Sequence, residues 1–184
     1  MRSILLFLFV SFSGLGDSFG QRSACDDCIE WSANAKLNWS DFKGRPNKLS
    51  PNAALTDSGM SIELNCDDRT SEVIIKCFFN RNKSWSKEKE SDYLLEHEQL
   101  HFDITELFVR KLRKQLNDLG NDCKRLNAHV EKYYNENYKE FVAYQDAYDR
   151  ETKHSLDREK QKLWKEKIAR ELDRLKPYAS LASR

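Results

Sequence analysis

The stretch from Ser91 to Leu119 has no glycine or proline, and inside it runs Leu94-Leu95-Glu96-His97-Glu98-Gln99-Leu100-His101-Phe102-Asp103-Ile104. Ser91 suits a helix N-cap, Asp92 suits the first turn, and Gly120 supplies the stop. At 3.6 residues per turn, His97 and His101 are neighbours one turn apart, so both imidazoles can reach one metal ion. Glu98 follows the first of them, placed to work on a water at that metal without ligating it. Leu94, His97, His101, Phe108, Leu112, Leu116 and Leu119 fall near one face, which puts the histidines on the stripe that meets the core. The competing reading is a buried helix whose two histidines are satisfied by ordinary hydrogen bonds.

What precedes and surrounds that helix limits its setting. Residues 1–20 read as a signal peptide: Arg2 is the positive n-region, residues 4–12 (ILLFLFVSF) form the apolar h-region, and Gly20 precedes the expected cut. The apolar run is too short for a comfortable bilayer span, so no stable membrane span is expected once the leader is removed. The protein is then secreted or periplasmic, and residues 21–184 are expected to form one domain. Lys and Arg number 31 against 30 Asp and Glu, a balance that gives no reason to expect a nucleic-acid partner. In an exported chain the cysteines at 25, 28, 66, 77 and 123 read as disulfide formers. Cys66 and Cys77 flank a strand-turn-strand and are expected to pair, with Cys25 or Cys28 bridged to Cys123 and one thiol left over. Asn38 and Asn82 stand in N-x-S sequons, which matter only where secreted proteins are glycosylated.

Residues 29–85 carry β and loop signals. A short strand is expected at 36–39, a strand pair at 53–56 and 60–64 around Asp57-Ser58-Gly59, and a central or site-bordering strand at 72–80 (EVIIKCFFN). From Ser91 onward the pattern is helical. A second helix is marked by Leu126, Val130, Tyr133, Phe141, Tyr144 and Tyr148. The pattern falters at 150–155 and resumes with Trp164, Ile168 and Leu172, until Pro177 ends it. The fold class expected is α+β, a small antiparallel sheet in the N-terminal half packed on long helices of the C-terminal half.

A catalytic zinc takes three protein ligands and keeps one position open. Two histidines leave one ligand to find. His129 lies among polar residues and reads as a surface side chain. The interrupted segment 148–155 offers Asp149, Glu151 and His154, although a plain helix junction capped by Thr152 or Ser155 would explain the break equally well. Three blocks extend the pattern: Asn38-Trp39-Ser40-Asp41-Phe42-Lys43-Gly44, Ala54-Leu55-Thr56-Asp57-Ser58-Gly59, and the metal motif itself. A fourth runs from Tyr148-Asp149 through Thr152 and His154 to Gln161 and Trp164.

In these blocks the chain resembles a bacterial family of predicted secreted zinc-dependent proteases, a domain of unknown function, over nearly all of residues 21–184. The resemblance implies a zincin-like fold, with His97 and His101 as zinc ligands and Glu98 as catalytic base. It suggests His154 as third ligand and Asp149 in reserve. The family pattern commonly has glycine where this chain has Leu100 and Ser155; both changes are compatible with metal binding, though Ser155 bears on the turn that presents His154. The function expected is a secreted zinc metallopeptidase (HExxH type) acting on a peptide or protein substrate. Tyr148 is a candidate donor to the oxyanion, against its reading as a core aromatic. Residues 74–80 could pair with an extended substrate, and Asp103 or Glu106 could orient an imidazole. Competing readings are a non-catalytic exported binding module of the same fold and a disulfide-stapled helical interaction protein.

Overall fold

The computed structural model describes residue 25 and residues 27–66 and 71–179; the expected signal peptide at 1–20 lies outside them. The architecture is α+β. Strands β1 (Cys28–Glu30), β3 (Ser58–Cys66) and β4 (Ser71–Asn80) form an antiparallel sheet in the order β1-β4-β3. A separate ribbon pairs β2 (Ala54–Leu55) with β5 (Trp85–Ser86). Three helices follow: α1 (Asp92–Asn117), α2 (Cys123–Thr152) and α3 (Arg158–Arg174).

The sheet has one buried face because its strands alternate. Met60, Ile62 and Leu64 of β3 stand opposite Cys77, Ile75 and Val73 of β4, and these pairs face the helices while Lys76 and Glu63 face water. The covering element is α1. Leu100, Phe102, Ile104, Leu107, Phe108, Val109, Leu112 and Leu116 are all buried, which one apolar stripe could not achieve. The helix is enclosed by the sheet on one side and by α2 and α3 on the other, which contribute Phe141, Tyr148, Trp164 and Ile168. Side-chain caps fix all three helix starts. Ser91 accepts the Leu94 N–H, Asp122 accepts those of Lys124 and Arg125, and Asp157 accepts that of Lys160.

Several local expectations are corrected. Residues 36–39 are not a strand, since the Leu37 N–H donates to Gln99 Oε1 (2.8 Å) and Asn38 caps a 3-10 turn at Trp39–Asp41. Residues 53–56 and 60–64 do not pair with each other; β2 turns away to β5, and β3 takes β4. Residues 76–80 of β4 lie inside the sheet, with Trp31 and β1 on one side and β3 on the other, so that end offers a substrate no open edge. The junction after α2 is capped by neither Thr152 nor Ser155: Asp157 caps α3.

The disulfides are Cys25–Cys28 and Cys66–Cys123, and Cys77 is a buried free thiol. The expected Cys66–Cys77 bridge fails on register. Cys77 stands opposite Met60, so Cys66 is six residues further along β3, roughly 20 Å away. With Cys25 bound to its near neighbour, Cys123 is left for Cys66, and that bond ties the sheet to the start of α2. No helix among the described residues is long and apolar enough to cross a membrane.

Candidate metal centre

His97 and His101 point from α1 toward α2, where Asp149 meets them. His101 Nε2 lies 3.0 Å from Asp149 Oδ1, His97 Nε2 lies 3.3 Å from the same oxygen, and the two Nε2 atoms are 3.3 Å apart. All three side chains are buried. Four ligands about 2.05 Å from a tetrahedral zinc stand about 3.3 Å from one another. The triangle of donors therefore has the edge length of one face of that tetrahedron.

The outer faces of the rings fix their protonation. His97 Nδ1 meets Gln161 Oε1 at 3.1 Å, and His101 Nδ1 meets Gln145 Oε1 at 2.6 Å. Both amides are oriented by their other ends, because Gln161 Nε2 donates to the Tyr93 carbonyl and Gln145 Nε2 to the His101 carbonyl. Each Nδ1 must then carry a proton, so that in the neutral rings both Nε2 lone pairs face the Asp149 carboxylate. Two imidazole nitrogens and a carboxylate oxygen converge there, an arrangement that suits a cation, either a proton shared with Asp149 or a metal ion.

The two rings titrate in opposite directions. Burial pushes His97 toward the neutral form and outweighs its hydrogen bond to Asp149. Burial opposes charge on His101 as well, but Asp149, with help from Glu98 and Gln145, lifts its pKa above the ordinary value.

Glu98 sits one residue on from the first histidine and is 4% exposed. Its Oε2 is buried without a hydrogen-bond partner among the described residues, a costly state for a carboxylate unless a ligand or water uses it. Its backbone is pinned, with the Glu98 carbonyl accepting from the Thr56 hydroxyl at 3.1 Å. Glu98, both histidines, Asp149 and His154 line one cleft of about 150 Å³, closed on the far side by residues 52–58.

The predicted residues thus divide. His97, His101 and Glu98 share the cleft. Asp149, the reserve ligand, is the buried third donor. His154 lies at the mouth, with its side chain 57% exposed and Nδ1 3.6 Å from Asp149 Oδ1. It is carried by Lys153, His154 and Ser155, at φ 50°, 53° and 74°, a left-handed turn that costs about 1–2 kcal/mol per non-glycine residue. Glu151 faces away and accepts from Trp164 Nε1 at 2.9 Å. His129 is remote on the surface, bonded to the Arg125 carbonyl.

Tyr148 is buried beneath the rings, stacked on His97 with centroids 4.6 Å apart, and its hydroxyl donates to the His97 carbonyl at 3.3 Å. It therefore backs the histidines, and its hydroxyl is turned to the helix rather than offered as an oxyanion donor. Asp103 and Glu106 orient neither imidazole. Asp103 accepts from Trp31 Nε1 and Gln99 Nε2, and Glu106 accepts from Arg110 and Arg113. The orienting groups are Gln145 and Gln161. Gln145 was missed, although its place four residues before Asp149 puts it on the same face of α2.

Residues 80–155 match the model of a family described as "Bacterial protein of unknown function (DUF922)". The matched segment starts at the last residue of β4 and ends in the left-handed turn, so it holds His97, Glu98, His101, Gln145, Asp149 and His154. It leaves out Gln161 and the 52–58 wall, and it is shorter than the resemblance seen in the sequence blocks. Comparison with curated proteins and with solved structures gives no match.

Proposed function

We propose that the protein is an exported zinc-dependent metallopeptidase, zincin-like in its motif helix, with His97, His101 and Asp149 as the metal-binding set. The observation that carries this is the triangle of two imidazole nitrogens and a carboxylate oxygen at 3.0–3.3 Å, beside a buried carboxylate oxygen with no hydrogen-bond partner among the described residues. The donor set fits zinc in type, number and spacing. Bound there, zinc would supply a Lewis acid for the scissile carbonyl and a means of activating water near neutral pH.

The remaining work belongs to side chains. Gln145 and Gln161 hold both rings with Nε2 inward, and Tyr148 supports them from below. Glu98 Oε2 takes a proton from the attacking water and returns it to the departing amine nitrogen as the C–N bond breaks. Water is thereby divided between the new carboxyl and the new amine, and no other reactant is needed. His154, at the mouth, stands on the solvent side of Asp149. The two disulfides support export to an oxidising compartment.

The test is zinc content and peptide hydrolysis on the chain from Gln21, with Glu98→Gln alongside. One zinc per chain in both proteins is expected, with hydrolysis reduced about 10²–10⁴-fold in the variant. A chain that folds but takes up no zinc would sink the proposal.

A further inference from the structure

The Thr56-Asp57-Ser58 stretch of the cleft wall carries one polar side chain that the fold does not use. The Thr56 hydroxyl donates to the Glu98 carbonyl (3.1 Å) and Ser58 Oγ meets Thr105 Oγ1 (2.7 Å), so both turn toward α1. Side chains along an extended segment alternate, which turns Asp57 off the α1 face. Its backbone is fixed on both sides: the N–H donates to Ser84 Oγ (2.9 Å), and the carbonyl accepts the Asn80 N–H (2.8 Å). The carboxylate itself has no hydrogen-bond donor and no ion-pair partner among the described residues. Burial pushes its pKa above the ordinary carboxylate value, and only the more distant charge of Lys83 works against that. A half-buried carboxylate without a donor is destabilising, and a cationic ligand would relieve it.

Asp57 lines the same cleft as His97, Glu98, His101 and Asp149. Its place along that cleft follows from its neighbours. Thr56 stands at Glu98 and Ser58 at Thr105, so Asp57 lies between them, roughly 5 Å along the α1 axis from Glu98. Across the cleft at that level is α2, where Phe141 is a lining residue. Tyr138, three residues earlier, packs against Phe141 with ring centroids 5.9 Å apart. Burial, and then the charge of Asp57, raise the Tyr138 phenol above its ordinary pKa, which sets the carboxylate on the α2 side of the wall. The end of the cleft away from His154 thus joins one carboxylate to aromatic surface. A carboxylate takes an ammonium or guanidinium head, and an aromatic ring takes the aliphatic stem behind it.

We infer, building on the peptidase reading, that Asp57 is a specificity residue that holds a cationic nitrogen group of the substrate within one residue of the scissile bond. That group is the ammonium or guanidinium of a lysine or arginine side chain, or the amino terminus of the substrate chain, which presents the same chemistry. With the head on Asp57 and the stem along Phe141, the scissile carbonyl comes to lie over Glu98 and the metal-binding set. Asp57 touches no reacting atom. Its contribution is to kcat/KM for cationic substrates alone.

The experiment uses the zinc-loaded protein and β-casein as an unfolded probe, with the cuts mapped by mass spectrometry. A peptide spanning the fastest cut is then made in three forms: unchanged, with its basic residue replaced by norleucine, and with its amino terminus acetylated. The enzyme should favour the unchanged peptide over the norleucine form about tenfold or more in kcat/KM. Asp57→Asn, which keeps the backbone bonds to Ser84 and Asn80, should erase that ratio, with zinc content unchanged and the norleucine form cut within about twofold of its former rate. A preference lost on acetylation instead, and again erased by Asp57→Asn, would support the same site with the amino terminus as its cation. Equal rates on all three peptides, or an Asp57→Asn loss equal for all three, would overturn the inference and leave the peptidase standing. Failure to cut the probe at all, with zinc bound, would overturn the peptidase reading and this inference with it.

Discussion

Asp149 and His154 are five residues apart, and both can approach the histidine pair, but their surroundings differ. Asp149 is buried against both Nε2 atoms, whereas His154 is more than half exposed and held on a strained turn. Zinc affinity should therefore fall much further in Asp149→Asn than in His154→Ala, by at least tenfold in a competition titration with a chromophoric chelator. Equal losses would make His154 a ligand of the same rank. Gln145 and Gln161 act through the rings. Replacing either with Leu frees an Nδ1–H and lets the imidazole turn, and should weaken zinc about 10–100-fold without unfolding the helix pair, as circular dichroism would show.

Each helix does two jobs, and the joins between helices hold the tension. α1 is both the centre of the core and the carrier of His97, Glu98 and His101, so its site face cannot be moved without repacking Phe102, Ile104 and Leu107. The α2–α3 join spends three consecutive left-handed residues to bring Asp157 into its capping position and His154 to the cleft mouth. Ser155, at φ 74°, has the largest positive φ of the three. Ser155→Gly should raise unfolding stability by about 0.5–1 kcal/mol in a urea melt, because glycine adopts that conformation freely. A loss of stability would mean that the Ser155 side chain contributes more than its strain costs.

On the scale of the molecule, sheet and helices are joined by packing, by Arg113, and by one long-range covalent bond. Arg113 donates to the Ile75, Tyr178 and Ala179 carbonyls and to Glu106, tying β4, α1 and the end of the described chain together. Cys66–Cys123 spans a separation of 57 residues, and Cys25–Cys28 spans 3. Loop-closure entropy rises with loop length, so replacing Cys66 and Cys123 by Ser should cost about 2–4 kcal/mol, and the Cys25/Cys28 pair distinctly less. Denaturant melts of the two double variants would decide; equal costs would show that the long bridge constrains little in the unfolded chain.

The sequence by itself determined what is local and periodic. Three helices, the Ser91 cap, the strand at 72–80 and the pairing of His97 with His101 on one helix face all follow from spacing along the chain, where a residue's neighbours are known in advance. Only the tertiary structure decided which distant groups meet. It put Asp149 rather than His154 in the buried position, gave Gln145 and Gln161 the two rings, turned the Tyr148 hydroxyl to a backbone carbonyl, and joined Cys66 to Cys123. Each of these depends on how α2 and α3 lie against α1 and on strand register. Those are set by the summed packing of many side chains, and a one-residue change in register would exchange every partner.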